Sequence, residues 1–304
     1  MSQHDTPTTA LCRHSAEAIW YRDQNLVDDL LGKQPFVAAA SRHILGRPLS
    51  AGQLAMVEAV LVVLMEHGMT PSAISARLTY LGAPESLQGG VAAGLLGVGS
   101  AFIGTMEDCA QMLEAIASAS QPDAAETAAR TLAQRLVAER RSAPGFGHHL
   151  HKPDDPRAIA LLALADRHEV SGPYVAALRR LSVALDEARG RHLTINATGA
   201  VAAILGDIGV PARAMRGFAL ISRTAGLVAH LLEEQQQPSG RFIWDLVDHA
   251  IPYRAETSFE DARRPREGGG PASLPASETS LGPRFRGDDE QDGGSIQTGA
   301  EDSA

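Results

Sequence analysis

The sequence predicts an all-α protein. Apolar residues recur at helical spacing, and capping residues stand in front of several of these runs. No alternating β-branched pattern appears, and β propensity is thin throughout. One short hairpin, near Ala18–Arg22, is the single exception expected.

The elements follow in order. Ser50-Ala-Gly-Gln53 is a capping box: the Ser hydroxyl and the Gln side chain each satisfy a free N–H of the first turn. It opens a helix to about Glu66, with Leu54, Val57, Leu61, Leu64 and Met65 expected on the buried side. Thr70-Pro71 is a cap followed by proline at the first helical position, and it opens a helix to about Leu81. Gly82-Ala-Pro84 breaks the chain, and a third helix runs to about Val98. Its small residues, among them Gly89, Gly90, Gly94 and Gly97, suit close helix contact. Further helices are expected at 105–119, 122–141, 156–168, 173–188, 197–208 and 215–236.

The chain has 304 residues and a net charge of −9, with 44% hydrophobic residues. That length buries a sizeable core. The acidity argues against a nucleic-acid partner, which needs a basic face. Two cysteines, Cys12 and Cys109, make no disulfide framework, and a reducing, cytoplasmic compartment is expected. The first twenty residues lack the basic patch and apolar run of a signal peptide. The apolar stretch Leu54–Met65 is interrupted by Glu58 and is too short to span a bilayer, so no membrane is expected. Residues 255–304 carry 11 acids and 5 bases and few large apolar residues. Such a segment cannot offset its chain entropy, and a disordered tail is expected there.

HExxH, GxxxxGK[ST] and CxxC are all missing. Three segments hold residues that could carry chemistry. The first is Ala143-Pro144-Gly145-Phe146-Gly147-His148-His149-Leu150-His151-Lys152-Pro153-Asp154-Asp155-Pro156-Arg157. Its glycines and prolines make a loop, and it leads into a helix N-terminus that welcomes anions. It reads as an anion site, as a solvated turn, or as a metal site through His148, His149, His151 and Asp155. The second is His67, at a helix end. It is either a favourable partner for the helix dipole or a ligand-binding group. The third is Arg223, inside an apolar helix. A buried guanidinium must meet a carboxylate, from the protein or from a ligand.

Taken in order, Gly-Phe-Gly-His148 with Lys152 and Asp155-Pro-Arg157, His67-Gly-Met-Thr-Pro-Ser, and Ile221-Ser-Arg223-Thr-Ala-Gly226 resemble the citrate synthase superfamily. The resemblance covers about Phe36 to Glu234 and is strongest to its short citryl-CoA lyase-like and citrate-synthase-like members. It implies a multihelical dimer: a large domain from 1–104 and 216–254, an inserted small domain from 105–215, and an active cleft between them. It further implies that His148 hydrogen-bonds and protonates the keto-acid carbonyl, and that His67 is the second histidine on that substrate. Arg157 and Arg223 then hold the substrate carboxylates. Pro144, Gly145, Phe146 and Gly147 match the loop that touches CoA, and Lys152 falls near the CoA phosphates. No metal and no tightly bound cofactor is implied, since the CoA thioester is a substrate.

Two positions depart from the family pattern. Phe102 stands where the family has a histidine that hydrogen-bonds the thioester oxygen. Thr198 stands where it has an aspartate that takes the methyl proton of acetyl-CoA. Enolisation needs such a base and such a donor. The resemblance therefore implies an acyl-CoA enzyme acting on a 2-oxo dicarboxylate, in the lyase or the synthase direction. The alternative is a non-catalytic binder of CoA esters or dicarboxylates, or a partner subunit of a catalytic paralogue.

Overall fold

The computed structural model describes residues 7–99, 104–148 and 150–253. Phe102, His149 and the tail expected to be disordered lie outside them. The N-terminus forms a three-stranded antiparallel meander: β1 (Cys12–His14), β2 (Ile19–Tyr21) and β3 (Gln24–Asn25). The expected hairpin is thus one strand larger. Arg13 stacks its guanidinium 4.1 Å from the centre of the Trp20 ring. A π-helical turn over Leu26–Leu30 follows.

Eleven α-helices then make the body among the described residues. They are α1 (Phe36–Leu45), α2 (Ala51–Met65), α3 (Pro71–Gly82), α4 (Leu87–Leu96), α5 (Thr105–Ala117), α6 (Pro122–Ala138), α7 (Pro156–Arg167), α8 (Pro173–Arg189), α9 (Ala197–Ile208), α10 (Ala212–Gln236) and α11 (Gly240–Ala250). The Ser50–Gln53 capping box and the Thr70 cap form as the sequence predicts. The all-α expectation is met, and nine helices start and stop within a few residues of their expected ends.

Two features differ. First, α1 and α11 have no counterpart in the expectation. Neither begins with a side-chain cap: Pro35 precedes α1, and Ser239 makes no cap bond to α11. Second, α2 buries Met56, Val57, Val60 and Leu64, while Met65 is exposed and Leu54 and Leu61 are only half-buried. This helix is apolar on nearly every side, so its period alone does not choose the inward face.

One continuous core runs from Met56 through Leu113, Leu181 and Leu205 to Phe218. Helix α9 lies at its centre, with Ala200–Leu205 fully enclosed. Removing a side chain such as Leu205 there costs about 2–5 kcal/mol. A second cluster joins Ala76 on α3 to Leu227 and Leu231 on α10. Here the small residues of α4 serve the purpose predicted for them: Gly90 and Gly94 lie under Leu231 and Leu227. Helix α10 packs on α2, α3, α4, α5 and α9, so it joins the two clusters. No helix among the described residues is long and apolar enough to cross a membrane.

Candidate functional site

The loop bearing His148 is stitched to the strand of chain before α9. Gly147 N–H donates to the Thr194 carbonyl at 2.7 Å, and Asn196 N–H donates to the Gly145 carbonyl at 3.1 Å. Asn196 also donates from Nδ2 to the Gly147 carbonyl at 3.0 Å while its Oδ1 caps α9. The two segments meet so closely that a Cβ on Gly199 would lie 2.3 Å from the Gly145 carbonyl oxygen. The loop is therefore fixed against the most buried helix of the fold.

Beside it lies a cavity of about 740 Å³, within the range that holds small molecules. His67, His148, Arg157 and Arg223 all line it. They come from four places: the end of α2, the loop, the first turn of α7 and the middle of α10. Thr198 and Gly147 line it too. Other members of the predicted set lie apart. Gly145 and Phe146 are buried in the framework, Pro144 is half-buried outside the lining, and Lys152 is exposed on the loop beyond it.

The hydrogen bonds assign the histidine tautomer. His148 Nδ1 accepts the backbone N–H of Leu150 at 3.1 Å and of His151 at 3.0 Å. In the neutral ring the proton then sits on Nε2. Arg157 Nη2 lies 3.3 Å from that nitrogen. Two backbone donors fix this tautomer, so the contact from Arg157, which can only donate, is no hydrogen bond to the protonated Nε2; the two N–H groups standing side by side suit a single acceptor oxygen. The His67 ring centre lies 6.2 Å from that of His148. Burial lowers the His67 pKa, and the positive charges of Arg157 and Arg223 lower it further, which favours a neutral ring.

Arg157 and Arg223 differ in how they are held. Asp155 grips Arg157 with both carboxylate oxygens. Arg223 is 6% exposed, and its Nε and Nη1 are buried without a hydrogen-bond partner. Burial lowers its pKa, and Glu66 pulls the other way. Of the two fates the sequence left open, no bond to a protein acid forms among the described residues. Glu66 lines the cavity as well and was not among the residues singled out from the sequence.

His67, His148 and His151 bring one ring nitrogen each within 4.8 Å of one another. That spacing could gather a cation. The surroundings oppose it, because two guanidinium groups share the cavity and His148 presents an N–H. Asp155, the carboxylate of the alternative metal set, is taken up by Arg157 and two backbone amides. The donor set suits an anion with a carbonyl oxygen.

Two mycobacterial proteins named "Putative citrate synthase 2", from Mycobacterium bovis and Mycobacterium tuberculosis, are 30% identical over 190 residues, 59% of this chain and 47% of theirs. The chain thus spans about half the length of these relatives. The structure of citryl-CoA lyase from Hydrogenobacter thermophilus is 29% identical, with a TM-score of 0.71 over 88% of this chain and 97% of that one. ATP citrate lyase from Methanothrix soehngenii, solved with citrate and coenzyme A, shares the fold at 20% identity, with a TM-score of 0.67 over 86% of this chain and 44% of that one. The family described as citrate synthase, C-terminal domain, matches residues 6–244, and the chain belongs to it.

Proposed function

We propose that the cavity binds a small 2-oxo dicarboxylate and that the protein makes or breaks a C–C bond between it and the acyl group of a CoA thioester. This is citryl-CoA lyase or citrate synthase chemistry. The observation that carries the reading is Arg223: a buried guanidinium with two unpartnered nitrogens, in a cavity it shares with two histidines and a second arginine. A ligand carboxylate satisfies it through charge-assisted bonds.

In this reading Arg157 and Arg223 hold the two carboxylates, and His67 and His148 face the keto oxygen. In the condensing direction the His148 Nε2–H polarises that oxygen and gives it a proton as the C–C bond forms. In the cleaving direction the proton returns as the bond breaks. The cavity is lined by residues within 63–98, by residues within 105–198 and by Arg223. The large and small domains expected from the resemblance would then both contribute to the site, although one core joins them. Of the segment matched to the CoA loop, Gly147 on the cavity wall and the exposed Lys152 would meet CoA, while the buried Gly145 and Phe146 would support it, and a homodimer is the assembly.

Thr198 favours the second reading, a binder without turnover, because it brings no base to its place on the cavity wall. The enzyme reading accounts for more, since it uses both histidines as well as both arginines. Oxaloacetate should raise the melting temperature. Thiol release from acetyl-CoA with oxaloacetate, or acetyl-CoA release from citryl-CoA, should show turnover. If oxaloacetate, citrate and related 2-oxo acids all leave the melting curve unmoved, the reading fails.

A further inference from the structure

Behind the cavity runs a chain of charged groups that the reading above does not use. Arg77 on α3 is 2% exposed, and its three nitrogens all donate. Nη1 bonds Glu234 at 2.7 Å and Ser239 Oγ at 3.2 Å, and Nη2 bonds Glu233. Nε and Nη2 also point at His230 Nδ1, at 3.1 and 2.9 Å. A guanidinium has donors only, so His230 Nδ1 is the acceptor and the neutral ring carries its proton on Nε2. That nitrogen faces both oxygens of Glu66, at 3.2 and 3.1 Å.

Glu66 Oε1 in turn accepts the backbone N–H of His67 at 2.7 Å and of Gly68 at 2.6 Å. Burial pushes the Glu66 pKa up, but the bonds from His67, His230 and Gly68 outweigh it and the net shift is downward. Glu66 is therefore an anion, and its charge supports that of Arg223. Arg223 and His230 are seven residues apart on α10, nearly two turns, and so share a face. Between them, α10 comes so close to α2 that a Cβ on Gly226 would lie 2.1 Å from the Met65 carbonyl oxygen. One helix thus holds the turn bearing His67 and also supplies Arg223.

We propose that His230 is a positioning residue of the dicarboxylate site: oriented by Arg77, its Nε2–H holds Glu66 where that carboxylate grips the His67–Gly68 turn and balances Arg223. The inference rests on reading the cavity as a dicarboxylate site.

The test uses the full chain, with oxaloacetate as the probe. His230→Phe removes the donor, and His230→Gln keeps an N–H for Glu66. Calorimetric affinity should fall about tenfold or more in His230→Phe and return to within about threefold of wild type in His230→Gln, the usual worth of a hydrogen bond to a charged group. Hydrogen exchange at the His67 and Gly68 amides should quicken in His230→Phe and not in His230→Gln. Unchanged affinity and unchanged exchange in His230→Phe overturn the proposal. If wild type itself does not bind oxaloacetate, the reading of the cavity fails, and the amide exchange alone decides whether His230 positions the turn. If His230→Phe does not fold, the ¹H–¹⁵N spectrum of the wild-type imidazoles decides: a His230 proton on Nε2 supports the proposal, and one on Nδ1 overturns it.

Discussion

Asp155 holds Arg157 with both carboxylate oxygens, 3.0 Å to Nε and 2.8 Å to Nη2, while capping the helix on which Arg157 stands. The same two oxygens accept the backbone N–H of Arg157 at 3.0 Å and of Ala197 at 3.1 Å. One fully buried carboxylate thereby locks the start of α7 to the start of α9 and aims a guanidinium at the cavity. Burial raises its pKa, but the bonds from Arg157 outweigh that and bring it below the ordinary value of 3.8.

Asp155→Asn should therefore cost about 2–4 kcal/mol of stability, because it unpairs a buried ion pair. A group with a depressed folded pKa stabilises above its unfolded pKa and loses that contribution as pH falls through the folded one. The gap in denaturant midpoint between wild type and variant should hold from pH 8 to 5 and close below the unfolded value of 3.8. A gap that persists at the acid end would mean that the carboxylate charge is not what matters.

Arg223 leads to the opposite sign. Its Nε and Nη1 are buried without partners, so the ligand-free protein carries their desolvation uncompensated. Arg223→Met should raise the ligand-free melting temperature by about 2–8 °C, from about 1–2 kcal/mol or slightly more of relieved cost. The same change should abolish the shift produced by oxaloacetate. A ligand-free variant that melts lower than wild type would show that Arg223 is structural.

These two residues also mark how far the sequence was legible. His67, His148, Arg157 and Arg223 stand in short motifs, and the structure gathers all four on one cavity. Asp155 sits in one of those motifs, but its bond to Ala197, 42 residues on, is invisible in the sequence. Glu66 and His230 are 164 residues apart, and nothing local announces that they meet. The same holds for the fold. Helix α9 has the cap Asn196 at one end and Gly209 at the other, and its bounds are readable. Helix α11 starts without a side-chain cap bond and exposes Phe242, Trp244 and Leu246, so local signals for it are weak.

His192 offers a pH test away from the cavity. Its Nδ1 lies 2.7 Å from Asp186 and its Nε2 3.0 Å from Asp154, which suits a ring protonated on both nitrogens. The Asp186 bond, then the Asp154 bond, raises its pKa above 6.5. A raised folded pKa contributes stability that is full below the unfolded pKa and is lost as pH rises through the folded one. The pair is solvent-exposed, so its worth is only about 0.2–1 kcal/mol. His192→Gln should lower the melting temperature by about 1–3 °C at acidic pH and leave it unchanged well above neutrality. A deficit that grows with pH would reverse the sign and remove the ion-pair explanation.

Thr198 is the position at which the proposed catalysis is most directly tested. It is the second residue of α9, after the cap Asn196, and it lines the cavity. A carboxylate there would sit in the first turn of a helix, where the dipole favours negative charge. It would also share the cavity with Arg157, which favours the ionised form. Thr198→Asp therefore adds a base at the place where the family resemblance calls for one. With oxaloacetate bound, the variant should speed α-proton exchange of acetyl-CoA in D₂O by about 10²-fold or more, the usual worth of a positioned base. Adding His148→Asn to this variant should leave that exchange in place but cut product formation by about 10²–10⁴, because the proton for the keto oxygen is then missing. If the wild type already exchanges the proton as fast as Thr198→Asp does, another group on the cavity supplies the base, and Glu66, also on the wall, is the next carboxylate to test.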